Sequence, residues 1–197
     1  MTYCKTQKEL SGIVLAGGKS SRLGQDKASL SFQGRTLLDR TLELASVFCS
    51  KTYCVGRRRK HTGPEAGWML DKIPGTGPMG GIITALETLK VPCLVLACDL
   101  PFLTREILST LISHRNNRPP DRCMTTFQQP ATGYIQSLVA VYEPESLNLL
   151  QKSYAAGCYR LSRAIPFDCR FHIDYSNDQE KFFFNVNYPV DMQELPR

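Results

Sequence analysis

The sequence has no long hydrophobic run, and its 197 residues include one tryptophan and three histidines. No apolar stretch approaches the ~20 residues a membrane-spanning helix needs, so no spanning segment is expected. The opening Met1-Thr-Tyr-Cys-Lys-Thr-Gln-Lys8 has no apolar core. That argues against a secretory leader and makes the cytoplasm the expected compartment. His61, His114 and His172 are isolated and no H-E-x-x-H occurs, which excludes that class of zinc hydrolase. The eight cysteines contain no C-x-x-C, and Cys49/Cys54 and Cys93/Cys98 are spaced too widely for a zinc knuckle. Several lie in apolar runs and read as reduced, structural thiols. There is no repeat, low-complexity segment or linker, so one domain is expected.

What is present is ordinary for a globular protein, 42% hydrophobic and 21% charged residues, with a net charge of +6. A basic balance suits anionic small substrates. The densest cationic run, Arg57-Arg-Arg-Lys60, has no interleaved aromatics and gives little support for nucleic-acid binding. It reads as a loop, either simply solvated or steering a phosphorylated substrate.

The chain is organised around Ser11-Gly-Ile-Val-Leu-Ala-Gly-Gly-Lys-Ser-Ser-Arg-Leu-Gly-Gln-Asp-Lys27. Ile13-Val-Leu15 is a short apolar run bounded by glycine, hence a buried strand. Gly17 and Gly18 let backbone approach a ligand, and Lys19, Arg22 and Lys27 follow as cations. Strand, glycine loop and cations together suggest a phosphate cradle. It is not a P-loop. Gly18-Lys19-Ser20 would supply that motif's end, but Ile13 stands where its first glycine belongs.

Further on, apolar spacing predicts a helix over Thr36–Phe48, strands over Thr52–Val55 and Trp68–Leu70, and a helix over Met79–Leu89. Cys93–Cys98 reads as a fully buried central strand and Thr104–His114 as a helix capped by Thr104. In the last third, strands are predicted over Cys123–Phe127, Tyr134–Tyr142, Arg170–Tyr175 and Phe182–Val186. Helices are predicted over Leu147–Ala155, Tyr159–Ile165 and from Pro189. The alternation argues an α/β fold with a doubly wound, mostly parallel sheet.

Two further stretches carry chemistry. Gly75-Thr-Gly77-Pro-Met-Gly80, followed by a helix, a strand and Asp99, formally matches a dinucleotide-binding fingerprint, and so an NAD-dependent oxidoreductase. Asp71–Pro74 separates the preceding strand from the first glycine, however, and Pro78 removes a donor where the turn should offer one. Asp99 itself ends the Cys93–Cys98 run, at the carboxyl end of a central parallel strand, where α/β sheets bind ligands. A magnesium ion that takes its other ligands from substrate phosphates and water needs only one such carboxylate.

Four segments then carry a family resemblance, in order. They are Leu15-Ala-Gly-Gly18 with Arg22-Leu-Gly-Gln-Asp-Lys27; Asp71 with Gly77-Pro-Met-Gly-Gly-Ile82; Cys98-Asp-Leu-Pro101; and Phe183-Phe-Asn-Val-Asn-Tyr-Pro-Val-Asp191. Together they resemble the molybdenum cofactor guanylyltransferases, within the nucleotidyltransferases that activate sugars and cofactors. The resemblance implies a single three-layer domain of the nucleotide-diphospho-sugar transferase type, with an antiparallel C-terminal part. Its nucleotide-binding half would cover about 10–115 and its acceptor half about 120–197. It implies transfer of GMP from GTP to the terminal phosphate of molybdopterin. Leu15, Ala16, Gly17 and Gly18 would line the nucleotide, Arg22 and Lys27 would neutralise its phosphates and Asp71 would position the nucleoside. Asp99 would hold Mg²⁺, and Asn185 and Asn187, on one side of a strand, would place the acceptor. It implies no nucleic-acid or membrane partner and leaves room for transient contact with cofactor-donating or cofactor-receiving proteins. A cytidylyltransferase on the same cofactor is the nearest rival. Those relatives usually carry alanine where Gly17 stands, and a glycine there would leave room for guanine. One departure is that an asparagine frequent after the family's second strand is replaced by Val55-Gly56-Arg57.

Overall fold

The computed structural model describes residues 10–17, 27–57, 65–186 and 191, with Lys27 described by its backbone alone. A seven-stranded sheet forms the frame. Its strands are β1 (Ser11–Leu15), β4 (Lys51–Val55), β5 (Gly67–Met69), β6 (Cys93–Ala97), β7 (Met124–Gln128), β8 (Ile135–Tyr142) and β9 (Arg170–Asp174), in the order β5-β4-β1-β6-β8-β7-β9. β5, β4, β1 and β6 run parallel; β8 runs against both β6 and β7, and β9 is again parallel to β7. The antiparallel character expected of the C-terminal part is thus confined to β8. Because β6 pairs with β8, the sheet is continuous between the two halves of the chain.

Helices cover both faces, which is why the central strands read as unbroken apolar runs. Alternate residues feed opposite cores. Val14, Leu94 and Leu96 pack with α1 (Leu37–Ser46) and α3 (Arg105–Asn116). Ile13, Cys93 and Val95 pack with α2 (Pro78–Leu89), α4 (Ser146–Ala155) and the short α5 (Leu161–Ala164). α1 starts where Thr36 accepts a hydrogen bond from the Asp39 amide at 3.1 Å, and it buries Leu37, Leu38, Leu42 and Ala45. Thr104 caps α3 in the same way, through the amide of Ile107. α2 begins on Pro78, whose missing N–H costs nothing in a first turn.

Two features differ from the sequence expectation. A small hairpin, β2 (Ser31–Phe32) and β3 (Arg35–Thr36), precedes α1. It turns on Gln33 and Gly34, both at positive φ, as a two-residue primed turn requires. The second difference lies over 182–186, where no strand forms. A seven-residue 3-10 helix, Asn177–Phe183, occupies part of it instead, opened by a capping box between Ser176 and Gln179. The phenylalanines that suggested a strand diverge. Phe183 stacks with Phe127 and Tyr175, while Phe184 meets Phe102. The helix expected from Pro189 falls largely outside the described residues.

None of the seven described cysteines is in a disulfide. Burial pushes Cys49 and Cys93 up to about 12 and Cys123 up to about 11, so these thiols stay protonated and unreactive. Among the described residues no helix is long and apolar enough to cross a membrane.

Candidate functional site

From β1 the chain moves to β4 and β5 on one side, then returns to add β6 on the other. The strand order therefore switches between β1 and β6, and the crevice at their carboxyl ends is where open α/β sheets bind ligands. Leu15, Ala16 and Gly17 leave β1 there, and Asp99 follows β6 by two residues. The Cys98 amide donates to the Leu15 carbonyl at 3.3 Å, the Ala16 amide to Val55 at 3.0 Å and the Gly56 amide to Met69 at 3.0 Å. Four strand ends are thus stitched into one floor.

Gly17 and Gly56 meet across that floor. A methyl group built on Gly56 would lie 2.7 Å from Cα of Gly17, and one on Gly17 would lie 3.0 Å from Cα of Gly56. Gly56 also has φ +96°, a conformation that side chains disfavour. The expectation that Gly17 leaves space for guanine is therefore corrected, because the Gly56 backbone fills that space. In this chain a side chain at 56, an asparagine's included, would collide with Gly17. Gly56→Ala is expected to cost about 2–4 kcal/mol by adding overpacking to backbone strain. A urea melt checks this, and a loss below 1 kcal/mol would show that the two loops can separate cheaply.

Asp71 lies two residues beyond β5 and is half-buried. Its Oδ1 accepts from the Ile73 amide at 2.8 Å and from the Thr84 hydroxyl at 3.4 Å; that hydroxyl in turn accepts from the Lys72 amide at 3.0 Å. The carboxylate thereby shapes its own loop and fixes it to α2. Gly80 makes the docking possible. A side chain there would lie 2.5 Å from the Ile73 carbonyl and 2.8 Å from Asp71 Oδ1. At Gly81 an added carbon would lie 2.8 Å from Leu15, so the start of α2 packs directly on the end of β1.

This geometry removes the dinucleotide reading of Gly75–Gly80. β5 is an edge strand, and α2 leads from it to β6, which β4 and β1 separate from it in the sheet. The fingerprint's close strand–turn–helix–strand unit is absent, and its third glycine serves the Asp71 loop.

Asp99 is half-buried in the turn after β6, and its carbonyl accepts from the Val186 amide at 3.0 Å. Phe184 reinforces the tie, with its ring 6.0 Å from that of Phe102. Asn185 is thus held beside the Asp99 turn by its neighbours, although no strand carries it. Val186 and Phe184 escape a reading of the sequence because backbone donation and ring contacts between segments so distant in the chain leave no local signature. Gly18, Arg22 and Asn187 lie outside the described residues, as does the Lys27 side chain; the Lys27 backbone opens a short 3-10 turn, Lys27–Ser29. Among the described residues no three histidine, cysteine, aspartate or glutamate side chains cluster as a complete metal cage. One carboxylate at a strand end fits a magnesium ion shared with phosphates and fits poorly a structural zinc or calcium.

Comparison with known proteins gives the family and the fold. The MobA-like NTP transferase domain model matches residues 12–166. A probable molybdenum cofactor guanylyltransferase of Chloroflexus aggregans is 34% identical over 162 residues, covering 79% of this chain and 76% of that protein. A molybdenum cofactor biosynthesis bifunctional protein of Synechocystis is 28% identical over 195 residues; the match takes in 96% of this chain but only 54% of that longer protein. In fold, the chain is similar to molybdopterin-guanine dinucleotide biosynthesis protein A from Archaeoglobus fulgidus, with a TM-score of 0.77, 24% identity and coverage of 94% and 96%. It is similar also to a 4-diphosphocytidyl-2C-methyl-D-erythritol synthase from Anaerococcus prevotii, with a TM-score of 0.68, 12% identity and coverage of 95% and 94%. With the family model matching most of its length around the glycine loop, the Asp71 loop and Asp99, the chain belongs to the MobA-like NTP transferase domain family of nucleotidyltransferases.

Proposed function

We propose that this protein transfers GMP from GTP to the terminal phosphate of molybdopterin and releases pyrophosphate. The observation that carries the reading is the meeting of four strand ends at the β1/β6 switch point. The Gly17 loop and the Asp71 loop lie on one side of it, and Asp99, tied to Asn185–Val186, lies on the other. A nucleotide over the first two would present its α-phosphate near the third. Support for guanine over cytosine comes from the relatives named guanylyltransferase, since Gly17 no longer supplies it.

In this reading an oxygen of the acceptor phosphate attacks the α-phosphorus, and the bond from that phosphorus to the bridging oxygen of pyrophosphate breaks. A phosphate monoester has a second pKa near ~6, so the nucleophile is already mostly dianionic at neutral pH and needs no general base. The protein's work is positioning and charge neutralisation. Gly17 and Gly18 amides hold phosphate oxygens, Arg22 and Lys27 offset the triphosphate charge, and Asp71 orients the nucleoside through its fixed loop. Asn185 and Asn187 place the acceptor. Asp99 would hold Mg²⁺, which when bound screens charge around the transferred phosphate.

Thermal shift with Mg²⁺ and each nucleotide in turn tests the donor. GTP at a hundred times its dissociation constant should add about 2.7 kcal/mol, with little response to CTP, ATP or UTP. A response to CTP alone would keep the mechanism and change the product. Transfer at saturating substrates should rise as pH passes ~6 and then level off, as the acceptor loses its second proton. Continued increase beyond pH 8 would instead point to a titrating protein base.

A further inference from the structure

The 3-10 segment Asn177–Phe183 and the β7–β8 turn flank an open cavity of about 580 Å³, within the size range of small-molecule sites. Asn185 lines it, so it opens one residue away from the Val186–Asp99 tether. Its wall is aromatic. Tyr175 and Phe183 are buried, their rings 4.8 Å apart, and Phe183 rests on Phe127 at 5.1 Å. Its polar groups are mainly amides and the two phenols of Tyr134 and Tyr175, with the exposed Lys181 and Glu180 beside them.

The hydrogen bonds leave these polar groups with defined capacity. Gln136 Nε2 donates to the Tyr175 hydroxyl at 3.0 Å, and among the described residues Gln136 Oε1 has no partner. Tyr175 already accepts, so its own O–H is left to donate. Burial raises the Tyr175 hydroxyl above its ordinary range, which keeps that proton on the oxygen at neutral pH. Gln129 is arranged the opposite way to Gln136. Its Oε1 accepts from Thr132 Oγ1 at 2.7 Å, which leaves its NH₂ to donate. The cavity therefore offers flat aromatic walls, one amide acceptor and two donors. That combination suits the edge of a planar heterocycle bearing an N–H beside a carbonyl or ring nitrogen.

We infer that this cavity holds the planar ring of the acceptor, and that Gln136, oriented by Tyr175, selects for it by accepting a hydrogen bond from a ring N–H. The inference rests on the transfer reaction proposed above. It assigns Gln136 as the specificity-determining residue and Tyr175 as the residue that positions it. Gln136 is half-buried, and a bound ring would cover it, so a ligand that leaves its acceptor unpaired loses affinity and selectivity comes from the analogue's loss as much as from the ligand's gain.

The test uses a pterin monophosphate as probe, with binding measured by titration calorimetry on the full chain. Gln136→Leu removes the acceptor and Tyr175→Phe removes only the hydroxyl, leaving the ring stack on Phe183. Both variants should bind the pterin monophosphate at least about tenfold more weakly, with GTP affinity changed less than twofold. In turnover, the preference of the wild-type protein for molybdopterin over a simple alkyl phosphate should collapse in Gln136→Leu through KM, with kcat nearly preserved. Equal pterin binding by wild type and both folded variants overturns the inference, as does wild-type binding too weak to detect at millimolar probe. Binding that behaves as expected without GMP transfer from GTP would uphold the cavity assignment and refute the proposed reaction. Normal transfer with unchanged selectivity in the variants would do the reverse.

Discussion

Asp99→Asn is expected to lower nucleotide transfer about a thousandfold, the scale seen when a fixed charge-stabilising group is removed from a polar-reaction site. The substitution keeps shape and removes charge. The Val186 amide bonds to the backbone carbonyl of residue 99, so the tether survives, and the buried neighbours Cys98 and Leu100 are untouched. The melting temperature should therefore move little while transfer is lost. A neutral amide is a poor ligand for a hard divalent cation compared with a carboxylate, so raised Mg²⁺ should recover part of the rate. Steady-state kinetics over a Mg²⁺ series, beside a thermal melt, checks both halves. Near-normal transfer by a folded Asp99→Asn protein would remove Asp99 from the mechanism.

The second large effect concerns stability alone. Arg115 on α3 and Glu143, just past β8, are buried together, with 6% and 1% of their surfaces exposed. Nε of Arg115 lies 2.8 Å from one carboxylate oxygen and Nη2 lies 3.0 Å from the other, the paired geometry in which guanidinium binds carboxylate best. Arg118 adds a third contact at 3.1 Å. Glu143→Gln strands a buried guanidinium and should cost about 3–5 kcal/mol. At this chain length each kcal/mol lowers the melting temperature by about 2–4 °C, so the loss is large in a simple melt. Replacing the pair together, as Arg115→Met with Glu143→Leu, should restore much of it, since two buried charges also carry a desolvation penalty. Tyr142 pairs with Cys93, which places Glu143 at the start of β6, the end opposite Asp99. Turnover by the folded fraction should therefore be unchanged. If Glu143→Gln loses under 1 kcal/mol, the pair is not what fixes α3 to the sheet.

These two cases show what in the chain is legible from sequence. The position of Asp99 is legible because an apolar run buried on both faces admits one secondary structure, which puts the carboxylate at its carboxyl end. α1 was legible for a related reason, with the cap at Thr36 and the spacing of Leu37, Leu38 and Leu42 agreeing. Arg115 and Glu143 were not legible. Each is charged, they are 28 residues apart, and only the packing of α3 against the β8 end brings them together. The β2–β3 hairpin has two residues per strand, too few to show a period. The strand expected over 182–186 does not form because the polar capping signal at Ser176 and Gln179 starts a 3-10 helix that outweighs the β-propensity of three phenylalanines. In the site, the sequence marks the glycines as close-approach positions, but for Gly17 the approaching group is the protein's own Gly56 backbone. Distances across loops of that kind have no counterpart in local sequence.

The most direct test of the proposed reaction follows the α-phosphate. The protein is mixed with molybdopterin, Mg²⁺ and GTP labelled at the α-phosphorus, and the products are separated. The label should appear in a dinucleotide form of the acceptor, with one pyrophosphate released per transfer and no incorporation from labelled CTP. Label that stays with GTP or appears as free GMP, or that enters the acceptor from CTP in preference, would contradict guanylyl transfer by this chain.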